Sequence, residues 1–392
     1  MKLNCEATLT SLTKDTSSGL PGVVLAAFNK DGKSTRNRAL SRLKSSGSDP
    51  ITLDNTWCGF SCTKLLTTIS VLQCVERGLV ALDDPVEIVL PELENPQIIK
   101  AEPEGSFKLT PAKNKITLRH LVTHTSGLSY DAMHPVLVAW RESRGERPLV
   151  MSGKISEAFA LPLLFEPGSS WVYGAGLDWA GVLVQRINGT TLEDYMQDNL
   201  FAPLGLKSST LRPSTRPDVS ASLTQMWHRA EDGLLTPIPS PYPLDARDDS
   251  GGMGLVTSTT DFVKILQDLL KEHPVLLTPD SISQMFTIQF ELGTPQYEGL
   301  MKQESLHKQL TGDNTGHPEV SFGLGGLVVQ SEVPNLPAGT LTWNGMPNIG
   351  WFVHRDEGLG ALYVSQVLPA GDTKSVELLG KFWKEIWEEQ RS

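Results

Sequence analysis

The spacing of apolar residues changes period twice along the chain, and no other feature restricts the fold as much. Leu20-Pro21-Gly22 leads into the apolar run Val23-Val24-Leu25-Ala26-Ala27-Phe28, closed by Asp31-Gly32, which reads as a strand entering a hairpin turn. A weak strand and a polar loop follow over about residues 33–54. A helical pattern then spans about residues 61–77, with Leu65, Ile69 and Leu72 at helical spacing and Gly78 placed to end it. Leu82-Asp83-Asp84-Pro85 opens a new element, since Pro suits a first helical turn. Across residues 91–188 helical segments alternate with loops that hold Pro and Gly. Residues 212–247 are Pro-rich with few periodic apolar positions, the mark of a long excursion or lid. Residues 261–270 are helical again. The strand period then returns at 322–329, 339–343, 350–354 and 360–367, and residues 375–389 close the chain as an amphipathic helix. Strands therefore sit at both ends, with helices in the middle.

Composition narrows the partners. At about 100–200 residues per domain, the length suggests two or three structural units. The chain is 39% hydrophobic and 20% charged, which suits a globular protein with a core and excludes collagen-like, coiled-coil or wholly disordered classes. Lys and Arg total 34 against 45 Asp and Glu, a net charge of −11 that argues against nucleic acid as the main partner. No apolar stretch reaches the roughly 18 residues of a membrane span. The amino terminus turns polar at once, so no secretory signal is expected. Cys5, Cys58, Cys62 and Cys74 form no CxxC pair and read as free thiols in a reducing, cytoplasmic setting. The sequon Asn188-Gly189-Thr190 then reads as chance.

Three short segments can carry chemistry. In Ser61-Cys62-Thr63-Lys64 the Ser and Lys are three apart at the mouth of the long helix, on one face, so an amine can lie beside a hydroxyl. A nucleophile there also gains from the positive end of the helix dipole. The same spacing recurs at Ser11, Ser41 and Ser305, but none of these stands before a long apolar helix. On spacing alone, an N-cap Ser with a solvated Lys is the plainer account. Tyr173, in Trp171-Val172-Tyr173-Gly174 after the Pro167-Gly168 break, could act as a general base beside a Lys. Taken singly, it is more often just a packed aromatic. Trp343-Asn344-Gly345-Met346 ends a strand, where small residues let backbone N–H groups approach a ligand.

Other signatures fail. Asp249-Ser250-Gly251-Gly252 is like the nucleophile loop of trypsin-like proteases but lacks the all-β setting. GxSxG, HExxH, a P-loop and GxGxxG in strand–helix context are absent. His124 reads as a loop-bracing residue, and no metal or nucleotide site is expected.

Taken in order, Ser61-Cys62-Thr63-Lys64, the segment from Thr123 to Tyr130, Tyr173-Gly174 and Trp343-Asn344-Gly345 resemble the serine β-lactamase-like superfamily of class C β-lactamases, DD-peptidases and related esterases. The likeness runs over about residues 20–367. Within it, Ser61 to Ile69, Val75 to Val80, Tyr173 to Gly181 and Ser321 to Gly326 look like the fungal acyltransferase of lovastatin biosynthesis, which moves a short acyl group from a carrier domain onto a polyketide alcohol.

That resemblance implies an α+β fold: an antiparallel sheet flanked by helices, built from residues 1–80 and 190–392, with an all-helical insert at 81–189. It implies Ser61 as acylated nucleophile, Lys64 and Tyr173 as proton shuttle, and the N–H groups of Ser61 and Met346 as oxyanion hole. Trp343, with Asn344 and Gly345, would wall the acyl pocket, and Tyr242 would sit near the acceptor. The donor would be an acyl thioester, carried by an acyl carrier protein domain of a polyketide synthase, and the acceptor a small-molecule alcohol, with no cofactor. Two departures stand out. Ala175 replaces the Asn of Tyr-x-Asn, and Trp343 replaces the Lys of Lys-Thr-Gly, which removes the grip on a β-lactam carboxylate. Around the acceptor site, Cys58 and Ala158 stand where the lovastatin enzyme has Arg, and Ala370 lies near its Trp, so a different acceptor is expected. An esterase of the same fold is the competing function, and a non-catalytic binding homologue a third.

Overall fold

The computed structural model describes residues 19–31, 34–41, 51–312, 319–332 and 335–391. Cys5, Ser11 and Gly32 lie outside the described residues. Seven strands form the main sheet: β1 (Gly22–Asn29), β2 (Ser34–Ser41), β3 (Val320–Phe322), β4 (Leu327–Val329), β5 (Leu341–Gly345), β6 (Ile349–His354) and β7 (Leu359–Val364). Their order is β2-β1-β7-β6-β5-β4-β3, with every neighbouring pair antiparallel. The first strand thus pairs with the last, Val24 opposite Val364 and Asn29 opposite Leu359. This explains why strand patterning appears at both ends of the sequence.

Strands β6 and β7 are buried along their whole length, so both faces of the sheet centre are covered. Near-continuous apolar runs such as Leu359-Gly360-Ala361-Leu362-Tyr363-Val364 follow from that, where a half-exposed strand would alternate. Four helices matter for the site: α1 (Thr63–Glu76), α2 (Gly176–Asn188), α3 (Thr259–Leu270) and α4 (Thr373–Gln390). Helix α4 sets Trp383 edge-on to Phe352 of β6 at 4.9 Å and stacks Trp387 on the same ring at 5.4 Å. Helix α3 packs against β1 and β7. Helix α1 is buried on all sides from Thr63 to Cys74, the pattern of a core helix rather than an amphipathic surface one. It packs against α2, and one buried cluster runs through both ends of the chain and the segment between them.

Two expectations need correction in detail. The segment 81–189 is not all-helical: Gln97–Ala101 and Phe107–Pro111 pair as an antiparallel hairpin, Ile99 opposite Leu109, turned through Gly105 at φ +86°. The stretch 212–247 holds a hairpin too, Met226–Arg229 with Leu235–Ile238, and the first of these strands pairs with Val367–Leu368. Both hairpins are too short to show a period over their polar neighbours. Helix α1 begins at Thr63, after a 3-10 turn over Phe60–Cys62, and its end is marked by Gly78 at φ +67°. Among the described residues no helix is long and apolar enough to cross a membrane.

Candidate active site

The turn that carries Ser61 is held from both sides. Thr56–Cys58 pairs with Val256–Ser258, and the next residue, Gly59, donates its N–H to the Leu255 carbonyl at 2.7 Å. The Thr63 hydroxyl donates to the Phe60 carbonyl at 2.6 Å and accepts from the Leu255 N–H at 3.0 Å. Phe60 takes φ +43° in this turn, and its side chain and that of Cys62 are buried while Ser61 remains partly open. The end of β5 lies against the same turn: a Cβ on Gly345 would meet the Gly59 carbonyl oxygen at 2.6 Å, so only glycine fits there.

A second loop pair brings Tyr173 opposite. Val172 N–H donates to the His124 carbonyl at 3.0 Å, the Ser129 hydroxyl donates to the Tyr173 carbonyl at 3.0 Å, and Gly174 N–H donates to His124 Nδ1 at 3.4 Å. A side chain at 174 would meet the Leu128 carbonyl oxygen at 2.3 Å, so glycine is required for this close approach. His124 adopts φ +60°, and its ring lies 4.7 Å from the ring of Tyr173. It braces the loop, and its basicity is held well below the ordinary histidine range by burial and then by the charge of Lys64.

These elements put the Ser61 Oγ 2.5 Å from the Tyr173 hydroxyl and 3.3 Å from Lys64 Nζ. Lys64 is 2% exposed, and its Nζ also lies 4.8 Å from the centroid of the Tyr173 ring. The three residues that the sequence and its resemblance single out are therefore within contact of one another. A hydroxyl shared by an amine and a phenol, at a helix mouth, is the arrangement of an activated nucleophile.

Four partners of this group were not singled out for a role by the sequence. Lys64 Nζ donates to the Gly252 carbonyl at 2.8 Å and to the Tyr130 hydroxyl at 3.1 Å. Tyr130 donates in turn to Asp178 Oδ2 at 2.8 Å. Asp178 Oδ1 accepts from the Ser250 hydroxyl at 2.5 Å and from Gly252 N–H at 3.1 Å. Burial raises the Asp178 carboxyl, and Lys64 and these donors pull it back; burial and then Asp178 push the Tyr130 phenol well above its usual range. The available signal was the small-residue run Ser250-Gly251-Gly252. A Cβ at 251 would meet the Leu177 carbonyl oxygen at 2.4 Å, so the run marks a loop pressed onto α2.

The remaining sequence candidates divide. Trp343 is fully buried, its ring 5.6 Å from that of Tyr173 and 5.5 Å from that of Phe322, and its indole N–H has no partner. Asn344 reaches the other way, donating to Gln309 at 3.4 Å. Met346 is half-buried in the turn after β5. Cys58 and Tyr242 line one small pocket together with Phe60 and Ser240. Burial pushes the Cys58 thiol up to about 11, so it is a neutral wall residue. Ala370 instead lines a cleft of about 990 Å³ beside α4, which shares no lining residue with the Tyr242 pocket. Ala158 is buried on the short helix Ile155–Phe159, where its carbonyl accepts from Arg141 at 3.1 Å. Cys58 and Tyr242 thus share a pocket, and Ala370 lines a different cleft. Among the described residues no cluster of His, Cys, Asp and Glu could hold a metal ion.

A Ser–Lys–Tyr group at a helix mouth, under the last strands of an antiparallel sheet made from both chain ends, defines a serine enzyme of the β-lactamase type. The beta-lactamase family profile matches residues 9–378, and the chain belongs to that family. The chain is 36% identical over 384 residues to monacolin J acid methylbutanoyltransferase of Aspergillus terreus, covering 94% of this chain and 92% of that protein. It is 34% identical to lovastatin esterase of Penicillium rubens, covering 93% and 94%. A variant of simvastatin synthase from Aspergillus terreus superposes with a TM-score of 0.88 at 34% identity, covering 98% of this chain and 97% of that one.

Proposed function

We propose that this enzyme is an acyltransferase that takes an acyl group from a thioester onto Ser61 and passes it to a hydroxyl of a polyketide-type small molecule. The observation that carries the reading is the Ser61 Oγ held at 2.5 Å from the Tyr173 hydroxyl and 3.3 Å from Lys64 Nζ. The likeness to a named methylbutanoyltransferase over nearly the whole chain supports it.

In this reading Ser61 Oγ attacks the thioester carbonyl while its proton passes to the Tyr173–Lys64 pair. The N–H groups of Ser61 and Met346 hold the oxyanion. The C–S bond breaks, the thiol leaves with the proton, and Ser61 carries an ester. An acceptor hydroxyl then gives its proton to the same pair, attacks the ester carbonyl, and leaves acylated while Ser61 recovers its proton. Trp343 and Gly345 form the acyl side of the site, Asn344 holds the strand end through Gln309, and Tyr242, Cys58 and Ala158 form the acceptor side; Ala370 acts at longer range. The donor is a carrier-protein domain of a polyketide synthase. Residues 1–80 with 190–392 form one unit, supplying Ser61 and Lys64, and 81–189 a second, supplying Tyr173. The buried, unpaired Cys58, Cys62 and Cys74 suit a reducing cytoplasm.

Hydrolysis uses the same acyl-enzyme, and the likeness to lovastatin esterase favours it as the second reading. Transfer prevails where the pocket excludes water and orients the acceptor. The test is a partition assay. Ser61 is loaded with a butyryl thioester of N-acetylcysteamine, and polyketide alcohols are offered in water. Ester as the main product supports the transferase; free butyrate alone, at every alcohol concentration, assigns the esterase.

A further inference from the structure

Lys64 has more acceptors around it than the Ser–Lys–Tyr chemistry needs, and their directions decide where its reactive face points. We propose that Tyr130 and Asp178 are positioning residues for the reaction, orienting Lys64 so that the amine position that receives the Ser61 proton faces Ser61 Oγ. The inference rests on the reading of Ser61 and Lys64 given above.

The donors and acceptors around Nζ fix its orientation. The Gly252 carbonyl, 2.8 Å from Nζ, can only accept, so it takes one N–H. The Tyr130 hydroxyl gives its single proton to Asp178 Oδ2 at 2.8 Å, so toward Nζ, 3.1 Å away, it offers a lone pair and takes a second N–H. A neutral amine has only two N–H groups. Its lone pair is left for the third neighbour, Ser61 Oγ at 3.3 Å. Without the Asp178 carboxylate, the Tyr130 proton is free to point at Nζ, and the lone pair then faces Tyr130 instead of Ser61.

Asp178 is suited to hold this direction. It is fully buried, and Ser250 and Gly252 fix its other oxygen, so Oδ2 is left for Tyr130. The same carboxylate faces the ammonium formed when Lys64 takes the Ser61 proton, with one phenol between them. Among the described residues, the other titratable groups around Lys64 are Tyr173, Tyr130 itself, His124 and Cys62; Cys62 is held as a thiol by burial and His124 is neutral. Asp178 is the one carboxylate in this set.

The test is the pH–rate profile of acyl-enzyme formation, followed with a butyryl thioester for wild type, Tyr130→Phe and Asp178→Asn. Both variants are expected to lose at least about tenfold in kcat with KM little changed, because orientation of a proton acceptor is lost but no substrate contact is removed. In Asp178→Asn, which also removes the buried counter-charge, the acidic limb is expected to move to lower pH by about one unit, whereas Tyr130→Phe keeps that charge and its effect is read in kcat. Wild-type kcat in both variants, with an unmoved limb in Asp178→Asn, would overturn the proposal. So would a raised KM alone, which would make Tyr130 a substrate contact. Asp178 lies in the core and Asp178→Asn can fail to fold; Tyr130→Phe, which removes one oxygen, then carries the test, with its melting curve as the check. Absence of an acyl adduct on the wild type would instead remove the underlying reading of Ser61.

Discussion

The floor of the site and its walls are built on opposite principles. On the floor, Ser61, Lys64, Tyr173, Tyr130, Asp178 and Ser250 are linked by hydrogen bonds of 2.5 to 3.3 Å. In the walls, polar atoms are buried with no partner: the indole N–H of Trp343, the Nε2 of His124 and the hydroxyl of Tyr242. A closed network tolerates few alternatives, since removing one member leaves its neighbour buried and unsatisfied. An apolar wall with unpaired polar atoms can be repacked one residue at a time. The difference shows where a fold of this kind keeps its chemistry and where it can change its substrate.

Tyr173→Phe attacks the floor and should have the larger effect. It removes the oxygen 2.5 Å from Ser61 Oγ and leaves the ring contacts with His124 and Trp343 in place. Acyl-enzyme formation is expected to slow by about 10²–10⁴-fold with the melting temperature nearly unchanged. Stopped-flow thiol release and a melting curve measure the two. A rate within a few-fold of wild type would break the contrast between floor and walls.

His124 joins the two regions, and its effect is on stability. Its folded basicity is depressed by burial, so the folded state keeps it neutral while the unfolded chain protonates it at about pH 6.5. The stabilisation is therefore complete above that pH and is lost as pH falls below it, by up to about 1.4 kcal/mol per pH unit. His120 and His134, also depressed by burial, act in the same direction. His124→Asn keeps a residue that accepts φ +60° and puts an amide oxygen in place of Nδ1 as acceptor for the Gly174 N–H. Denaturant melts between pH 7 and 5 should show a flatter fall for the variant than for wild type.

The smallest effect on the free enzyme is expected from Tyr242→Phe. The Tyr242 hydroxyl is buried without a partner, and the Ser250 hydroxyl beside it donates to Asp178 instead. Deleting an unsatisfied hydroxyl should leave stability unchanged or raise it by up to about 1 kcal/mol. On the acceptor-side reading, KM for the alcohol should rise while thiol release from the donor is unaltered. Loss of donor turnover would move Tyr242 from wall to floor.

The sequence was legible where chemistry is local. Ser61 and Lys64 are three residues apart at the mouth of one helix, and of the four SxxK matches only this one stands before a long apolar helix, so context rather than spacing set the pair apart. The strand-helix-strand order, carried by the strong apolar runs of β1 and β7, agreed with the sheet from both chain ends that the resemblance implied. What was illegible depends on tertiary contact. Tyr130, Asp178 and Gly252 come from three distant segments and meet only because Gly251 and Gly252 press against α2. The hairpin at Gln97–Ala101 and Phe107–Pro111 is half exposed and carries too few periodic positions to separate it from loop. On the acceptor side, Cys58 and Tyr242 share a pocket and Ala370 lines a different cleft, and nothing in their local sequence marks that difference.

If Ser61 is the nucleophile, intact-protein mass spectrometry after incubation with a butyryl thioester reads it directly. Wild type should gain the mass of one butyryl group, on the peptide that holds Ser61, and Ser61→Ala should gain none. A folded wild-type protein that stays unmodified, or a Ser61→Ala variant that is acylated to the same extent, would contradict the acyl-enzyme.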